Sequence, residues 1–227
     1  MWSRLILHFW ALEVERHGDA EGNPDPVEFL QQAYEQTITA TSSPNEWFGT
    51  TTSATALLHH RADGDSFRPV LYATNLGDCQ VLVVRPKEER IVFKTKGQWH
   101  WFDCPMQLGT NSVDKPRPNA QLSVIDLDEN DLVLVMSDGV TDNLWENDVL
   151  EVILSCLKKW ETGKWDHTVI DHTAGRGGGM LYLAQQLLNM TRSIAQDPFA
   201  QTPYMEKAVN EGLAIEGGVL PFFTCFT

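Results

Sequence analysis

The chain has 227 residues, 42% of them hydrophobic, which is enough to build the core of one domain. Its 31 acidic residues outnumber 17 basic ones, and the formal net charge is −14. This charge disfavours nucleic acids and anionic membranes as partners, because both would be repelled. No apolar run reaches the ~18 residues that a membrane span needs.

The cysteines and the N-terminal segment both argue against a secreted protein. The four cysteines are widely spaced and form no C-x-x-C pair: Cys79, Cys104, Cys156 and Cys225. This spacing argues against a zinc site or a disulfide framework and favours a reducing compartment. The segment MWSRLILHFWALEVE lacks a small-residue cleavage site, and His8 interrupts its apolar run, so it predicts an amphipathic helix.

Two helices are predicted at the start of the chain, over Ser3–Val14 and Pro26–Ala40, with the polar loop RHGDAEGNPD between them. A segment rich in β-branched residues after Gly49 predicts a strand, and DGDSFR predicts a turn. PVLYATN and QVLVVR predict a hairpin around LGDC, with Gly77 at the tight point and ERIVFKT as a third strand.

The second half of the chain begins with a long loop, GQWHWFDCPMQLGTNSVDKPRPNA. QLSVIDL and DLVLVM then predict another hairpin around DEN, and from Trp145 the hydrophobic period becomes helical. Two more helices are predicted in GMLYLAQQLLNMTRSIAQD and PYMEKAVNEG. Helices followed by sequential strands and then helices indicate an α+β fold with antiparallel sheets, not an alternating βαβ fold.

Asp138 is the first candidate for chemistry, because it follows the predicted strand LVLVM and precedes Gly139, which permits a sharp turn. A carboxylate held there by a rigid scaffold suits an oxygen-ligated cation. Asp142 would supply a second oxygen or cap the helix that begins near Trp145. The alternative is ordinary turn chemistry, with Asp142 or Asn143 as an N-cap.

Three stretches, FGTTTSATAL, ATNLGDCQVLVVR and LVLVMSDGVTDNLW, resemble in order the motifs of the metal-dependent Ser/Thr protein phosphatases of the 2C type, the PPM family. They are similar to its Gly-Ser/Thr-Thr-Ala strand, its Asn-x-Gly-Asp-Ser hairpin and its Ser-Asp-Gly-x-x-Asp metal segment. QWHWFDCPMQLG and DPFAQTPYMEKAVNEGLAIEGG resemble segments of a eukaryotic, largely mitochondrial subgroup. The resemblance runs from about Phe48 to Gly218.

The resemblance implies a sandwich of two antiparallel sheets flanked by helices, formed by one phosphatase domain over residues 1–227. It implies Mg²⁺ or Mn²⁺ as cofactor and a phosphoprotein substrate whose phosphoserine or phosphothreonine is attacked by a metal-bridging water. By position, Asp138 matches a core metal ligand, and Asp78 matches an aspartate that helps to hold an additional, weaker metal. Gly139 matches the residue that lets the strand turn beside the site, and Asp142 is expected next to the metal ligands. The subgroup implies a mitochondrial location, with the cytoplasm as the alternative.

Two departures from the family motivate a second hypothesis. The early Asp-Gly-x-Gly-Gly segment is absent, and SRLILHF resembles the sequence that normally follows it. VLPFFTCFT, which contains no acidic residue, stands where the subgroup has Gly-Gly-Lys-Pro-Asp-Asp-Ile-Thr-Val. These changes are expected to weaken metal affinity and to leave sheet edges unpaired, because terminal strands are missing. The alternative function is a catalytically impaired or non-catalytic phosphatase-like protein that binds a partner or phosphoprotein.

Two histidine-containing segments are weighed as further sites. HTVIDHTAGRGGGM offers His167, Asp171 and His172, but as a metal site it lacks a third convincing ligand, so it is interpreted as a flexible surface insertion. His100, between two tryptophans, is interpreted as a packing residue. An unrelated α+β binding domain is the remaining, generic alternative.

Overall fold

The structure is a computed structural model that describes residues 1–17, 22–42, 44, 46–64, 66–164 and 177–220. Its helices are α1 Trp2–His17, α2 Pro26–Thr41, α3 Pro116–Asn119, α4 Asp138–Thr141, α5 Glu146–Glu161, α6 Gly177–Ala195 and α7 Pro203–Asn210, with a 3-10 turn at Pro86–Glu88. Its strands are β1 Thr50–Thr51, β2 Ser53–Asp63, β3 Ser66–Leu76, β4 Gln80–Arg85, β5 Arg90–Lys94, β6 Trp99–Trp101, β7 Cys104–Pro105, β8 Leu108–Gly109, β9 Gln121–Asp126 and β10 Leu132–Met136. The α+β class is confirmed.

The chain divides into two compact units. The first comprises Met1–Val83 and Val92–Met136, and the second comprises Val84–Ile91 and Ser137–Thr227. The assignment of one phosphatase domain to residues 1–227 stays a prediction. Among the described helices of both units, none is long and apolar enough to cross a membrane. The segment with His167, Asp171 and His172 lies outside the described residues.

The two N-terminal helices of the first unit agree with their sequence signals. Asp25 caps α2, because its Oδ1 accepts the N–H of Glu28 at 3.0 Å, and Pro26 occupies the first helical position. The inner faces of α1 and α2 pack together and against the sheet. The buried cluster on this side consists of Trp2, Ile6, Leu30, Tyr34, Leu76 and Leu108.

The long strands form two three-stranded sheets, ordered β2-β3-β9 and β10-β4-β5, and most of their residues belong to the first unit. β2 and β3 form a long antiparallel hairpin that runs from the pair Ser53 and Leu76 to the pair Asp63 and Ser66. β3 also pairs antiparallel with β9. The neighbouring positions of β4 and β5 confirm ERIVFKT as the next strand after QVLVVR.

The two hairpins predicted around LGDC and DEN are wrong. β3 and β4 belong to different sheets, and so do β9 and β10, so the chain crosses between sheets at both connections. The physical reason is the core between the sheets, which is built from residues of both partners. Leu71 and Ala73 of β3 share one buried cluster with Val81 and Val83 of β4. Apolar strands that face another sheet gain more burial than a hairpin exposed on one side.

The predicted long loop contains short regular elements of its own. β6 pairs antiparallel with β7, and β8 pairs antiparallel with β1, at Leu108–Thr51 and Gly109–Thr50. α3 is held to α2 by Arg117, whose Nη2 and Nε donate to the two carboxylate oxygens of Glu28 at 2.8 and 2.9 Å. This fork lowers the pKa of Glu28 below its ordinary value. The loop is therefore attached to β1 through β8 and to α2 through α3.

The regular elements in the described part of the second unit are helices, apart from those in its short Val84–Ile91 segment. In α5, Val149, Ile153 and Cys156 recur at helical spacing and are buried. α6 approaches α5 closely, since a Cβ at Gly179 would lie 3.0 Å from the ring of Trp160. Thr202 caps α7 by accepting the N–H of Met205 at 3.2 Å. Burial raises the pKa of the Cys156 thiol, while Lys159 acts in the opposite direction.

Candidate functional site

Asp138 lies at the junction that the sequence indicates, after β10 and at the first residue of α4. Its side chain is half-buried, and its Oδ1 accepts the N–H of Gly139 at 2.7 Å. Its own carbonyl oxygen accepts the N–H of Asp142 at 2.7 Å, which closes the helical turn. The carboxylate is therefore attached to a short, hydrogen-bonded turn and not to an open loop.

Gly139 is a buried residue of α4, and its φ is not positive. The turn after β10 therefore does not depend on the left-handed backbone conformation that glycine favours. The role of Gly139 beside a metal, which the family resemblance implies, stays a prediction.

Asp142 is the C-cap residue that follows α4. It connects α4 to α7 and does not cap α5. Its Oδ1 lies 3.2 Å from Nζ of Lys207, and its carbonyl oxygen accepts the N–H of Tyr204 at 3.1 Å. The N-cap of α5 is Trp145, whose N–H donates to Oδ2 of Asp148 at 3.2 Å. The alternative in which Asp142 or Asn143 caps the helix after Trp145 is therefore wrong.

Asn143 is a residue of this site whose role sequence reasoning missed. Only 2% of its surface is exposed, and its amide forms hydrogen bonds with the backbones of Gly139 and Val219. Val219 is 76 residues away along the chain. No local pattern predicts a contact at that distance, because it depends on how the helices of the second unit pack.

Asp78 lies in the first unit, in the connection that carries the chain from β3 to β4. Its side chain is half-buried, and its Oδ1 atom is buried. The preceding Gly77 has φ of +103°, and a Cβ there would lie 2.5 Å from Cγ2 of Thr52 and 2.6 Å from the carbonyl oxygen of Met106. Glycine is therefore required at the tight point, as the sequence predicts.

Gln98 holds the backbone before Asp78, which the sequence did not reveal. Its Oε1 accepts the N–H of Gly77 at 3.1 Å, and its own N–H donates to the carbonyl oxygen of Gly77 at 2.9 Å. Its Nε2 donates to the carbonyl oxygen of Asn119 at 2.7 Å. The only signal that pointed to Gln98 was its place at the start of the QWHWFDCPMQLG motif.

His100 is bound to a buried carboxylate in the same loop. Its Nε2 lies 2.9 Å from Oδ2 of Asp114, which also accepts the N–H of Gln107 at 3.0 Å. Burial alone would raise the pKa of Asp114, but these hydrogen bonds keep it below its ordinary value. The interpretation of His100 as a packing residue misses this polar contact, which anchors the loop at Asp114.

Mg²⁺ and Mn²⁺ prefer oxygen ligands, chiefly carboxylates, that converge on one point. Neither unit, over its described residues, groups three or more His, Cys, Asp or Glu side chains in an arrangement that could hold a metal. Asp138 is chemically suited to be one ligand, since it is a half-buried carboxylate on a rigid turn. Over its described residues, the second unit by itself therefore supplies one suitable ligand of a hard cation and does not complete a two-metal centre. Asp78 belongs to the other unit.

Comparison with known proteins links both the sequence and the fold to one family, although no protein-family model matches the chain. The chain is 28% identical over 225 residues to the probable protein phosphatase 2C 80 of Arabidopsis thaliana. This alignment covers 99% of this chain and 45% of that protein. It is 30% identical over 180 residues to the protein phosphatase PTC7 homolog fig of Drosophila yakuba, which covers 76% of this chain and 49% of that protein. The chain thus spans about half the length of these curated relatives or less.

The fold is similar to a solved phosphatase structure. The X-ray structure of the photosystem II phosphatase PBCP matches with a TM-score of 0.67 at 23% identity, covering 93% of this chain and 67% of that one. A human protein phosphatase PTC7 homolog is 29% identical over 156 residues, or 65% of this chain and 45% of that protein. The order of motifs, the α+β architecture and these similarities agree, and the chain belongs to the 2C-type (PPM) family of protein phosphatases.

Proposed function

We propose that this chain serves the hydrolysis of phosphoserine and phosphothreonine in phosphoproteins, with Asp138 as a ligand of Mg²⁺ or Mn²⁺. Members of the family are metal-dependent protein phosphatases. The observation that carries the proposal is the position of Asp138, whose carboxylate is fixed at the start of α4 by the N–H of Gly139. It lies in the segment that resembles the metal-binding motif of the family.

The proposal gives the residues near Asp138 distinct roles. Asp138 would bind the ion, and a bound ion lowers the pKa of a coordinated water and neutralises charge on phosphoryl oxygens. Asp142 would hold α4 against α7 through Lys207, which keeps the turn that carries Asp138 in place. Asp78 is proposed as a carboxylate for a weaker ion, on the resemblance of its segment alone.

The test is phosphate release from a phosphothreonine peptide as a function of Mn²⁺ concentration, with the wild-type chain and Asp138→Asn. We expect Mn²⁺-dependent release that falls roughly 100-fold or more in Asp138→Asn, since even outer partners of metal ligands cost about 10–100-fold when lost. Asp126→Asn is the matched control, because Asp126 is exposed on β9 and pairs with Arg61. An unchanged rate in Asp138→Asn would contradict the role of Asp138.

A second function, phosphoprotein binding without turnover, is favoured by one observation. Over the described residues, neither unit contains a group of three or more His, Cys, Asp or Glu side chains that could hold a metal ion. This function predicts that calorimetric titration of the chain with Mn²⁺ shows no two-site binding. It also predicts that a phosphothreonine peptide binds without release of phosphate. Two-site Mn²⁺ binding together with phosphate release would exclude it.

A further inference from the structure

The buried amide of Asn143 connects the turn that carries Asp138 to a distant part of the second unit. Its Nδ2 donates to the carbonyl oxygens of Gly139 and Val219, each at 2.9 Å, and its Oδ1 accepts the N–H of Val219 at 3.0 Å. An amide side chain has two donor hydrogens and two acceptor lone pairs, so both hydrogens and one lone pair are used. The Asn143 amide thus forms two hydrogen bonds with the backbone of Val219, one to its carbonyl oxygen and one from its N–H, as a paired β-strand would.

Gly139 is held by hydrogen bonds at both of its backbone polar groups, which belong to the peptide units on either side of its Cα. Its N–H donates to Oδ1 of Asp138 at 2.7 Å, and its carbonyl oxygen accepts from Asn143 at 2.9 Å. Because the two peptide units share the Cα of Gly139, a displacement of this residue away from Asn143 also shifts the N–H that donates to the Asp138 carboxylate. The direction of that carboxylate therefore depends on Asn143, because both side chains form hydrogen bonds with the backbone of Gly139.

The segment that reaches Asn143 is held at the other end by two glycines against the end of α6. The N–H of Gly218 donates to the carbonyl oxygen of Asp197 at 2.9 Å. A Cβ at Gly218 would clash with the carbonyl oxygen of Ile194 and lie 2.6 Å from Cα of Ala195. Gly217 has φ of +87°, and a Cβ there would lie 2.7 Å from the carbonyl oxygen of Pro198. The Gly-Gly pair allows this close approach and so brings Val219 to Asn143.

We infer that Asn143 is a positioning residue for Asp138, and that Gly217–Val219, here called the Gly-Gly strap, is the support on which it acts. The inference rests on the proposed function, because it concerns how the proposed metal ligand is oriented. It assigns a structural role to Gly217 and Gly218, which end the segment DPFAQTPYMEKAVNEGLAIEGG that resembles the second subgroup motif. A buried, satisfied amide of this kind specifies one arrangement of the groups it joins.

The test compares Asn143→Ala and Gly218→Ala with the wild-type chain. Asn143→Ala removes the amide, and Gly218→Ala displaces the strap from α6 while leaving the sequence of α4 intact. Asn189→Ala is the matched control, since Asn189 is an exposed amide on α6 whose Oδ1 accepts from Nε2 of Gln185 at 3.0 Å. The readouts are the Mn²⁺ concentration for half-maximal phosphate release, calorimetric Mn²⁺ affinity and KM for the phosphopeptide at saturating Mn²⁺.

We expect both strap variants to raise the half-saturating Mn²⁺ concentration and the calorimetric dissociation constant by roughly 10–100-fold, the cost typical of partners that orient metal ligands. KM at saturating Mn²⁺ and the values for Asn189→Ala should stay unchanged. In metal-free protein, the amide hydrogens of Gly139 and Asp142 should exchange faster in both variants, because their acceptors belong to Asp138. A lower thermal midpoint with unchanged Mn²⁺ dependence would overturn the inference, since a merely structural contact has that signature.

The possible failures can be told apart. If Asn143→Ala does not fold, Gly218→Ala decides, because its change lies outside the buried amide. If Asp138→Asn lowers activity but both strap variants keep wild-type Mn²⁺ dependence, the inference is overturned and the proposed function stands. If Asp138→Asn has no effect on phosphate release or Mn²⁺ binding, the proposed function fails first. The inference then falls with it, whatever the amide exchange shows.

Discussion

Asp114 is the residue at which one buried charge organises a whole loop. It is 3% exposed, and Oδ2 alone accepts hydrogen bonds from Nε2 of His100, the N–H of Gln107 and Oγ of Ser112. A buried carboxylate is tolerated only when such partners replace water. The loop between β5 and α3 is therefore ordered around a polar centre and not by the apolar packing that its tryptophans indicate.

Asp114→Asn should destabilise the protein at neutral pH and leave it nearly as stable as the wild type in acid. The hydrogen bonds hold the pKa of Asp114 below its ordinary value, so its contribution is fully present above about pH 3.9 and is lost as the pH falls through the folded-state pKa. At pH 7 we expect a loss of about 1–3 kcal/mol in the free energy of unfolding, the usual worth of a charged hydrogen bond.

Urea unfolding at a series of pH values from 7 down to 3 measures this difference. Asp103→Asn is the control, because Asp103 is exposed in the same loop and its left-handed φ of 57° suits asparagine. A difference between wild type and Asp114→Asn that grows as the pH falls would contradict the assigned direction.

At the scale of elements, hydrophobic periodicity predicted where the strands lie but not which strands pair. Strong apolar runs predicted β3, β4 and β10 as strands, and all three form. Pairing was misassigned, because two successive strands can either form a hairpin or face each other from two sheets. The local pattern of apolar residues is the same for both arrangements, and the choice depends on which distant strands complete each sheet.

Leu71 and Leu58 test the packing between the sheets with a matched pair of substitutions. They are direct partners across β3 and β2, yet Leu71 is 2% exposed in the core and Leu58 is 56% exposed. Leu71→Ala should lower the free energy of unfolding by about 2–5 kcal/mol, through lost transfer energy and a residual cavity. Leu58→Ala should cost less than about 1 kcal/mol. Equal losses, measured by chemical denaturation, would mean that β3 does not face the second sheet.

At the scale of the whole molecule, charge restricts the range of partners. The formal net charge of −14 creates a negative field that repels polyanions and attracts cations. Under the proposed function, bound divalent cations would offset the repulsion between this charge and the phosphate of a phosphoprotein.

The chain should not bind nucleic acid or its mimics. On a heparin column at about 50 mM salt and pH 7, we expect the chain in the flow-through. A chain with this charge makes too few cationic contacts with the polyanion to release many of its counterions. The same sample should be retained by an anion exchanger and released as salt rises. A basic protein run on the heparin column controls for its capacity. Retention of the chain on heparin would show a local basic surface that the net charge conceals.

The sequence by itself determined the fold class, the phosphatase family and the place of Asp138 after a buried strand. It could do so because period, turn residues and ordered motifs are local properties of the chain. The tertiary structure alone decided which strands share a sheet, that Asp142 pairs with Lys207, and that Asn143 meets Val219. Each of these contacts joins residues far apart in the chain. They form because burial of apolar faces brings together backbone groups that then need hydrogen-bond partners.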